Sequence, residues 1–247
     1  MKAMIFAAGL GTRLRPVTDS LPKALVPVCG EPLLSHVIRK LIASGADDLT
    51  VNVHHFPDLI IDWLSKHPSG IPVHISDERE QLLETGGGLR HARALLESGG
   101  APFLVHNVDI LSDLDLGAFM AAAPSDALST LLVSQRQTRR YLLFEPSSLR
   151  LMGWTDISTG EVRSPWPSLD PSRCRRLAFS GIHYVSPAIF PLMDSWPERF
   201  PIMDFYLSIC REHPIYGVVA PPERTLVDVG KIDTLAEAEA ICRRLLQ

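Results

Sequence analysis

The residues best suited to do chemistry stand near the start of the chain. An apolar run, Ala3 to Ala7, opens into Ala8-Gly9-Leu10-Gly11-Thr12-Arg13-Leu14-Arg15-Pro16, and Pro22-Lys23 follows. Two near-adjacent glycines at the end of a strand let bare backbone amides approach an anion, and cations just beyond them neutralise a phosphate chain. The pattern therefore points to a nucleotide-phosphate site. Two commoner phosphate loops are excluded. A dinucleotide fingerprint needs glycine where Leu14 stands, and no helix starts cleanly before Pro16. A P-loop needs Gly-Lys followed by Ser or Thr, whereas Gly11 precedes Thr12-Arg13 and the lysine waits until Lys23.

Leu-Gly-Thr-Arg-Leu-Arg-Pro-Val-Thr from Leu10, followed by Leu-Pro-Lys-Ala-Leu-Val-Pro-Val from Leu21, resembles the signature of the sugar-1-phosphate nucleotidyltransferases. That resemblance implies a nucleotide loop of Ala8, Gly9, Gly11 and Thr12, with Arg13 and Lys23 holding phosphates as the catalytic cations. A guanidinium donates two parallel bonds to phosphate oxygens, and an ammonium supplies a compact point charge. A second glycine cluster, Leu83-Glu84-Thr85-Gly86-Gly87-Gly88-Leu89, precedes a predicted helix. In the resembled family this segment holds the nucleobase, which nominates Glu84, Thr85, Gly86 and Gly87. Its form is most similar to that of the N-acetylmuramate-1-phosphate uridylyltransferases, with mannose- or heptose-1-phosphate guanylyltransferases as near relatives.

Metal binding is expected from two separate aspartates. Asp109 follows the apolar strand Phe103 to Val105 and the residues His106-Asn107-Val108, which puts a carboxylate at the carboxyl end of a strand. It resembles the family's metal aspartate, although Val108 stands where the family usually has glycine. Asp228, in Leu226-Val227-Asp228-Val229-Gly230, resembles the second ligand; the competing assignment is a cap for a helix over Ile232 to Leu246. Hard carboxylate oxygens combined with phosphate oxygens and water suit Mg²⁺, the expected cofactor. Asp113-Leu114-Asp115 could instead mark a metal-dependent glycosyltransferase, but Ser112 and Asp113 sit where a helix through Leu116 and Phe119 wants its cap.

On the sugar side, Phe179-Ser180-Gly181-Ile182 resembles the segment that contacts the sugar, which nominates Ser180 and Gly181. Glu145-Pro146 falls near the family's Glu-Lys-Pro and nominates Glu145; the lysine is missing, so Arg139 or Arg140 would have to replace its phosphate contact. The implied reaction joins a nucleoside triphosphate, UTP slightly favoured, to a sugar 1-phosphate with release of pyrophosphate. A dianionic sugar phosphate is already a nucleophile and needs no general base. A non-catalytic nucleotide-sugar sensor is the alternative from another class; intact Arg13, Lys23, Asp109 and Asp228 argue against it.

These residues require an alternating scaffold. Helices are predicted over Leu33 to Ser44, near Pro57 to Lys66 and from about Leu89 to Leu96. Strands are predicted at Leu49 to Val53, Val73 to Ser76 and Phe103 to His106. The alternation implies an α/β, Rossmann-like doubly wound sheet, mostly parallel but mixed, of the nucleotide-diphospho-sugar transferase type. The second half reads as a strand at Ala127 to Ser134, a hairpin at Tyr141 to Trp154 and a strand at Leu177 to Val185. The chain has 247 residues with 46% hydrophobic content and no linker-like stretch, which fits one catalytic domain over 1–247 without a hexapeptide-repeat tail. A formal charge of −4 and no basic run argue against nucleic-acid binding. Met1 to Ala8 is too short for a signal or membrane segment, so a cytoplasmic protein without a membrane partner is expected, monomeric or a small homo-oligomer. Cys29, Cys174, Cys210 and Cys242 have no metal-type spacing and read as reduced structural thiols. The histidines, including His54-His55 and His106, read as surface or core residues.

Overall fold

Residue alternation in the first strand, β1 (Lys2–Phe6), divides the interior into two cores. Ala3 and Ile5 are buried on one face, Met4 and Phe6 on the other, as a strand sandwiched between two helical layers requires. The computed structural model describes residues 1–230 and 232–245. After β1 come the two-residue strands β2 (Pro27–Val28) and β3 (Glu31–Pro32), then α1 (Leu33–Ala43), β4 (Asp48–Val53), α2 (Pro57–Lys66) and β5 (Val73–Asp77). Next are α3 (Glu84–His91), α4 (Arg93–Leu96), β6 (Phe103–Asn107), β7 (Ile110–Ser112), α5 (Leu116–Ala121) and β8 (Ser129–Ser134). The rest is β9 (Arg140–Phe144), β10 (Leu151–Asp156), β11 (Glu161–Arg163), β12 (Arg175–Val185), α6 (Ile189–Met193), α7 (Ile202–Ile209), β13 (Ile215–Val219), β14 (Leu226–Asp228) and α8 (Ile232–Leu245). Leu246, the expected end of the last helix, lies outside the described residues.

Strands β5, β4, β1 and β6 lie side by side and parallel. Leu34, Val37 and Leu41 of α1 and Ile60 of α2 pack on the Ala3 face, whereas Leu89 of α3 and Leu96 of α4 pack on the Met4 face. The winding therefore reverses between β1 and β6, and the crevice outside their carboxyl ends is where such sheets bind ligands. Beyond β6 the sheet continues through β12, antiparallel to both β6 and β8, and β13 is parallel to β8. Strands β8 and β13 consequently end at the same edge as β6. The antiparallel β9–β10–β11 meander pairs with the first residues of β12, and β7 and β14 form a separate antiparallel ribbon.

Two local expectations are corrected. The helix predicted from about Leu89 begins at Glu84, so Gly86, Gly87 and Gly88 are helical rather than a loop ahead of the helix. Close packing demands the glycines: a Cβ on Gly86 would lie 2.3 Å from Phe200 Cε2, and one on Gly87 would lie 2.3 Å from the Glu198 carbonyl oxygen. The cap of α5 is Asp115, whose Oδ1 accepts the Ala118 N–H at 2.9 Å. Ser112 instead ends β7, and Asp113 Oδ1 accepts the Thr225 N–H at 2.7 Å.

Candidate active site

Strand β1 delivers the glycine loop to the crevice. Ala7 and Ala8 are buried, whereas Gly9, Thr12 and Arg13 are exposed beyond them. Gly11 has φ of 64°, the left-handed region, and caps a short turn of 3-10 helix in which Leu14 N–H returns to its carbonyl at 2.8 Å. The same carbonyl accepts the Thr18 hydroxyl at 2.8 Å. A Cβ on Gly11 would lie 2.8 Å from Thr18 Cγ2 and 3.3 Å from Lys23 Cβ, so the loop folds tightly onto the segment carrying the lysine. Lys23 is buried and its ammonium pairs with the Asp109 carboxylate. Among the described residues Arg13 pairs with no carboxylate, leaving its guanidinium available to an incoming anion.

The two aspartates, 119 positions apart in the chain, converge through backbone pairing. Asp228 closes β14 opposite Ile110 of β7, and the Val229 N–H donates to the Asp109 carbonyl at 2.8 Å. A Cβ on Gly230 would sit 2.5 Å from Asp228 Oδ1 and 2.8 Å from Arg13 Nη2, so the bare glycine lets the carboxylate and the guanidinium approach one point. The Asp228 Oδ1 is buried without a hydrogen-bond partner among the described residues, and residue 231, which precedes the last helix, lies outside them. An orphaned carboxylate oxygen beside a second aspartate and an open phosphate loop is a donor set that fits a hard divalent cation. Among the described residues no group of three or more His, Cys, Asp or Glu side chains could hold a metal. Such a cation would thus take most of its oxygens from ligand and water.

A cleft of about 330 Å³ is lined among others by Ala8, Gly9, Lys23, Glu84, Thr85 and Asp109; Gly11, Thr12, Arg13 and Asp228 do not line it. Glu84 has φ of 61° and pairs with Arg199 at 2.9 Å; the Thr85 hydroxyl accepts the Ile202 N–H at 2.9 Å. Gly86 and Gly87 do not line this cleft, and their N–H groups are already spent on the Phe200 carbonyl at 2.8 and 3.2 Å. On the sugar side Gly181, with φ of 75°, sits at an irregularity of β12; a Cβ there would lie 2.9 Å from Asn107 Nδ2. Ser180 is buried, its hydroxyl 3.3 Å from that of Ser134.

Glu145 does not join them. It starts the turn between β9 and β10, where its Oε2 accepts the Ser148 N–H at 2.6 Å, the Ser147 hydroxyl at 2.7 Å and the Ser147 N–H at 3.1 Å. Those bonds, the Ser148 N–H foremost, hold its carboxyl down to about 2. The Glu-Pro pair is hairpin-turn chemistry, with one carboxylate oxygen taking all three turn bonds. Arg140 is likewise committed, to Asp156 of the same hairpin at 3.4 Å.

With this geometry in view, comparison with known proteins is decisive. The profile of the nucleotidyl transferase family matches residues 2–144. The chain belongs to that family. This nucleotidyltransferase is 34% identical to the N-acetylmuramate alpha-1-phosphate uridylyltransferase of Caulobacter vibrioides, over 96% of this chain and 95% of the relative. It is 36% identical to the mannose-1-phosphate guanyltransferase of Eremothecium gossypii, over 82% of this chain but 56% of that one. Its fold is shared with HddC from Yersinia pseudotuberculosis complexed with GMP-PN (21% identity, TM-score 0.75, 98% of this chain and 99% of that). It is shared also with UDP-glucose pyrophosphorylase complexed with UDP-glucose (16% identity, TM-score 0.77, 99% and 98%).

The nucleotidyltransferase has a buried link that the sequence reading missed. Asn52, at the carboxyl end of β4, accepts the Ala7 N–H at 2.7 Å and the Ala8 N–H at 3.3 Å. Its Nδ2 donates to Glu78 Oε1 at 2.7 Å, and Glu78 Oε2 accepts the Leu83 N–H at 3.1 Å. Asn52 and Glu78 thereby tie the phosphate loop to the segment that enters α3. Burial pushes the Glu78 carboxyl above the ordinary range, against the lowering effect of the Leu83 and Asn52 bonds. The available signal was a polar residue at the end of each apolar strand, Asn52 and Asn107. His54 and His55 contact the backbone carbonyls of Glu78 and Thr18, and the His55 ring lies against that of Phe56.

Proposed function

We propose that the protein condenses a nucleoside triphosphate with a sugar 1-phosphate, forming a nucleoside diphosphate sugar and pyrophosphate, with UTP and N-acetylmuramate 1-phosphate as the preferred pair. The observation that carries this reading is the cleft lined by Gly9, Lys23 and Asp109, with Gly11 folded onto Lys23 and with Asp228 and Arg13, the latter unpaired among the described residues, approaching one point at Gly230. In this reading the sugar phosphate oxygen attacks the α-phosphorus in line, and the β- and γ-phosphates leave as pyrophosphate. No protein nucleophile is required, since the phosphate dianion supplies the electron pair. Arg13 binds the departing phosphates and Lys23 holds the reacting ones, with Asp109 fixing the lysine until substrate arrives. Backbone amides of Gly9, Gly11 and Thr12, beside Ala8, cradle the triphosphate, Glu84 and Thr85 face the nucleobase, and Ser180 and Gly181 face the sugar. Asp109 and Asp228 would hold Mg²⁺, which when bound supplies charge neutralisation at the phosphate oxygens. The match over nearly the full length of the uridylyltransferase favours UTP over GTP.

Pyrophosphate release from a matrix of UTP, GTP, CTP, ATP and dTTP against several sugar 1-phosphates, with Mg²⁺ and with the metal chelated, tests this. Metal-dependent release from UTP with N-acetylmuramate 1-phosphate is expected. A preference for GTP with mannose 1-phosphate would assign the guanylyltransferase activity instead. Silence from every pair, with tight binding of a nucleotide sugar, would mark a sensor; release of nucleoside diphosphate to an acceptor would mark a glycosyltransferase.

A further inference from the structure

A second cavity, of about 320 Å³, opens at the same edge of the sheet. Its floor is set by strand direction. Ser134, Gln135 and Arg136 follow β8, and Val219 to Pro222 follow β13, two strands that end on the same side as β6 with its Asp109. Strands β6 and β8 are separated only by β12, a span of about 10 Å at ordinary strand spacing. The cavity also reaches Leu226, two residues ahead of Asp228.

Its chemistry differs from that of the cleft. Val219, Pro222 and Leu226 supply an apolar wall, and Arg136 and Arg224 supply two positive charges. Neither arginine pairs with a carboxylate among the described residues. Arg136 is fastened to the sugar-facing strand: its Nη2 donates to the Phe179 carbonyl at 3.1 Å, one residue before Ser180. Ser134, on the cavity's rim, is the hydroxyl partner of Ser180. An apolar wall with two unpaired guanidinium groups, one strand beyond the expected sugar contact, suits a short aliphatic group ending in a carboxylate.

We propose that this cavity receives an acidic substituent of the sugar 1-phosphate, with Arg136 and Arg224 selecting a carboxylate-bearing sugar over its uncharged counterpart. The inference rests on the sugar-phosphate transfer reading above and deepens it. The lactyl ether of N-acetylmuramate is a substituent of this class. A mannose ring carries no group that would satisfy the two arginines.

The test compares N-acetylmuramate 1-phosphate with N-acetylglucosamine 1-phosphate, which lacks only the lactyl group, using the same triphosphate and steady-state pyrophosphate release. The wild-type protein is expected to favour the carboxylated sugar. Arg136→Ala and Arg224→Ala are each expected to lower the ratio of the two kcat/KM values about 10- to 100-fold, as loss of a charge-assisted bond does, chiefly through KM of the carboxylated sugar. Arg136→Lys should restore part of that ratio by returning the charge. A purely bracing role for Arg136 at Phe179 would depress both sugars equally, and an unchanged ratio overturns the inference. So does a wild-type enzyme that transfers to both sugars equally well or prefers mannose 1-phosphate. Absence of pyrophosphate from every pair defeats the transfer reading instead; calorimetric binding of the two sugar phosphates then decides the cavity's role on its own, and equal affinities overturn it.

Discussion

Arg13 and Lys23 bear the same charge but are held in opposite ways, and their removal should separate rate from stability. Arg13 is exposed and unpaired, so Arg13→Ala should leave the melting temperature within about a degree while lowering kcat by two to three powers of ten, the usual loss for one transition-state electrostatic contact. Lys23 is buried against Asp109, so Lys23→Ala also strands a carboxylate and should destabilise the fold on the order of 3 kcal/mol. Thermal melts alongside pyrophosphate assays distinguish the two. Asp228 makes the converse case. Its buried Oδ1 has no partner among the described residues, a cost that the proposed ligand role accounts for. Asp228→Asn should therefore abolish most turnover while leaving unfolding stability unchanged or slightly raised, measured by urea titration without added metal; a marked loss of stability would show that the carboxylate is structural. The motif residues were legible because phosphate chemistry restricts residue type so strongly around Gly9, Arg13 and Lys23. Glu145 was misplaced because a Glu-Pro pair looks alike in a binding loop and in a hairpin turn, and only the strand register of β9 and β10 tells them apart.

At the scale of elements, α3 shows how tertiary packing overrides propensity. Three consecutive glycines disfavour a helix by roughly 1 kcal/mol each, which is why the sequence places the helix start later. Helix forms because its bare face lies against the Glu198–Phe200 segment, which also takes two of its N–H groups. Gly86→Ala, favourable to an isolated helix, should destabilise the protein by about 1–3 kcal/mol, since the new methyl meets the Phe200 ring at 2.3 Å. Chemical denaturation reads that out, and Phe200→Leu in the Gly86→Ala background should recover part of it. Helices α1 and α2 were legible for the ordinary reasons: apolar residues at helical spacing, with Pro32 and Pro57 at their entries. The Asn52–Glu78 link was not, because it depends on β4 and the end of β5 lying side by side, and hydrogen-bond partners 26 residues apart leave no local pattern.

Across the whole molecule, two buried histidines make stability depend on pH. His106, wholly buried with Nδ1 donating to the Asn107 carbonyl and Nε2 unpartnered, is pushed down to about 4 by burial. His183, buried against the Tyr206 hydroxyl, is pushed down to about 3 by burial and then by His106. Both are neutral in the fold, while the unfolded chain takes up protons from about pH 6.5 downward. Their contribution is therefore complete above that value and is lost as pH falls through 6.5 towards 4 and 3, on the order of 3 kcal/mol for His106 and about 5 kcal/mol for His183 at the lower limits. Unfolding free energies measured from pH 7.5 to 4 should fall along that window, and His183→Gln should flatten the slope; a flat wild-type profile would show that water reaches both rings.

The ribbon of β7 and β14 has a consequence for how the protein comes into being. The proposed phosphate site is encoded before residue 110 apart from Asp228, which β14 at residues 226–228 holds opposite β7. A growing polypeptide on the ribosome thus carries the glycine loop, Arg13, Lys23 and Asp109 well before the strand that brings Asp228 alongside. Under the proposed function, competence waits until β14 has been made and has docked on β7. A chain stopped before residue 226 is expected to keep the proposed anion-binding half and to release no pyrophosphate.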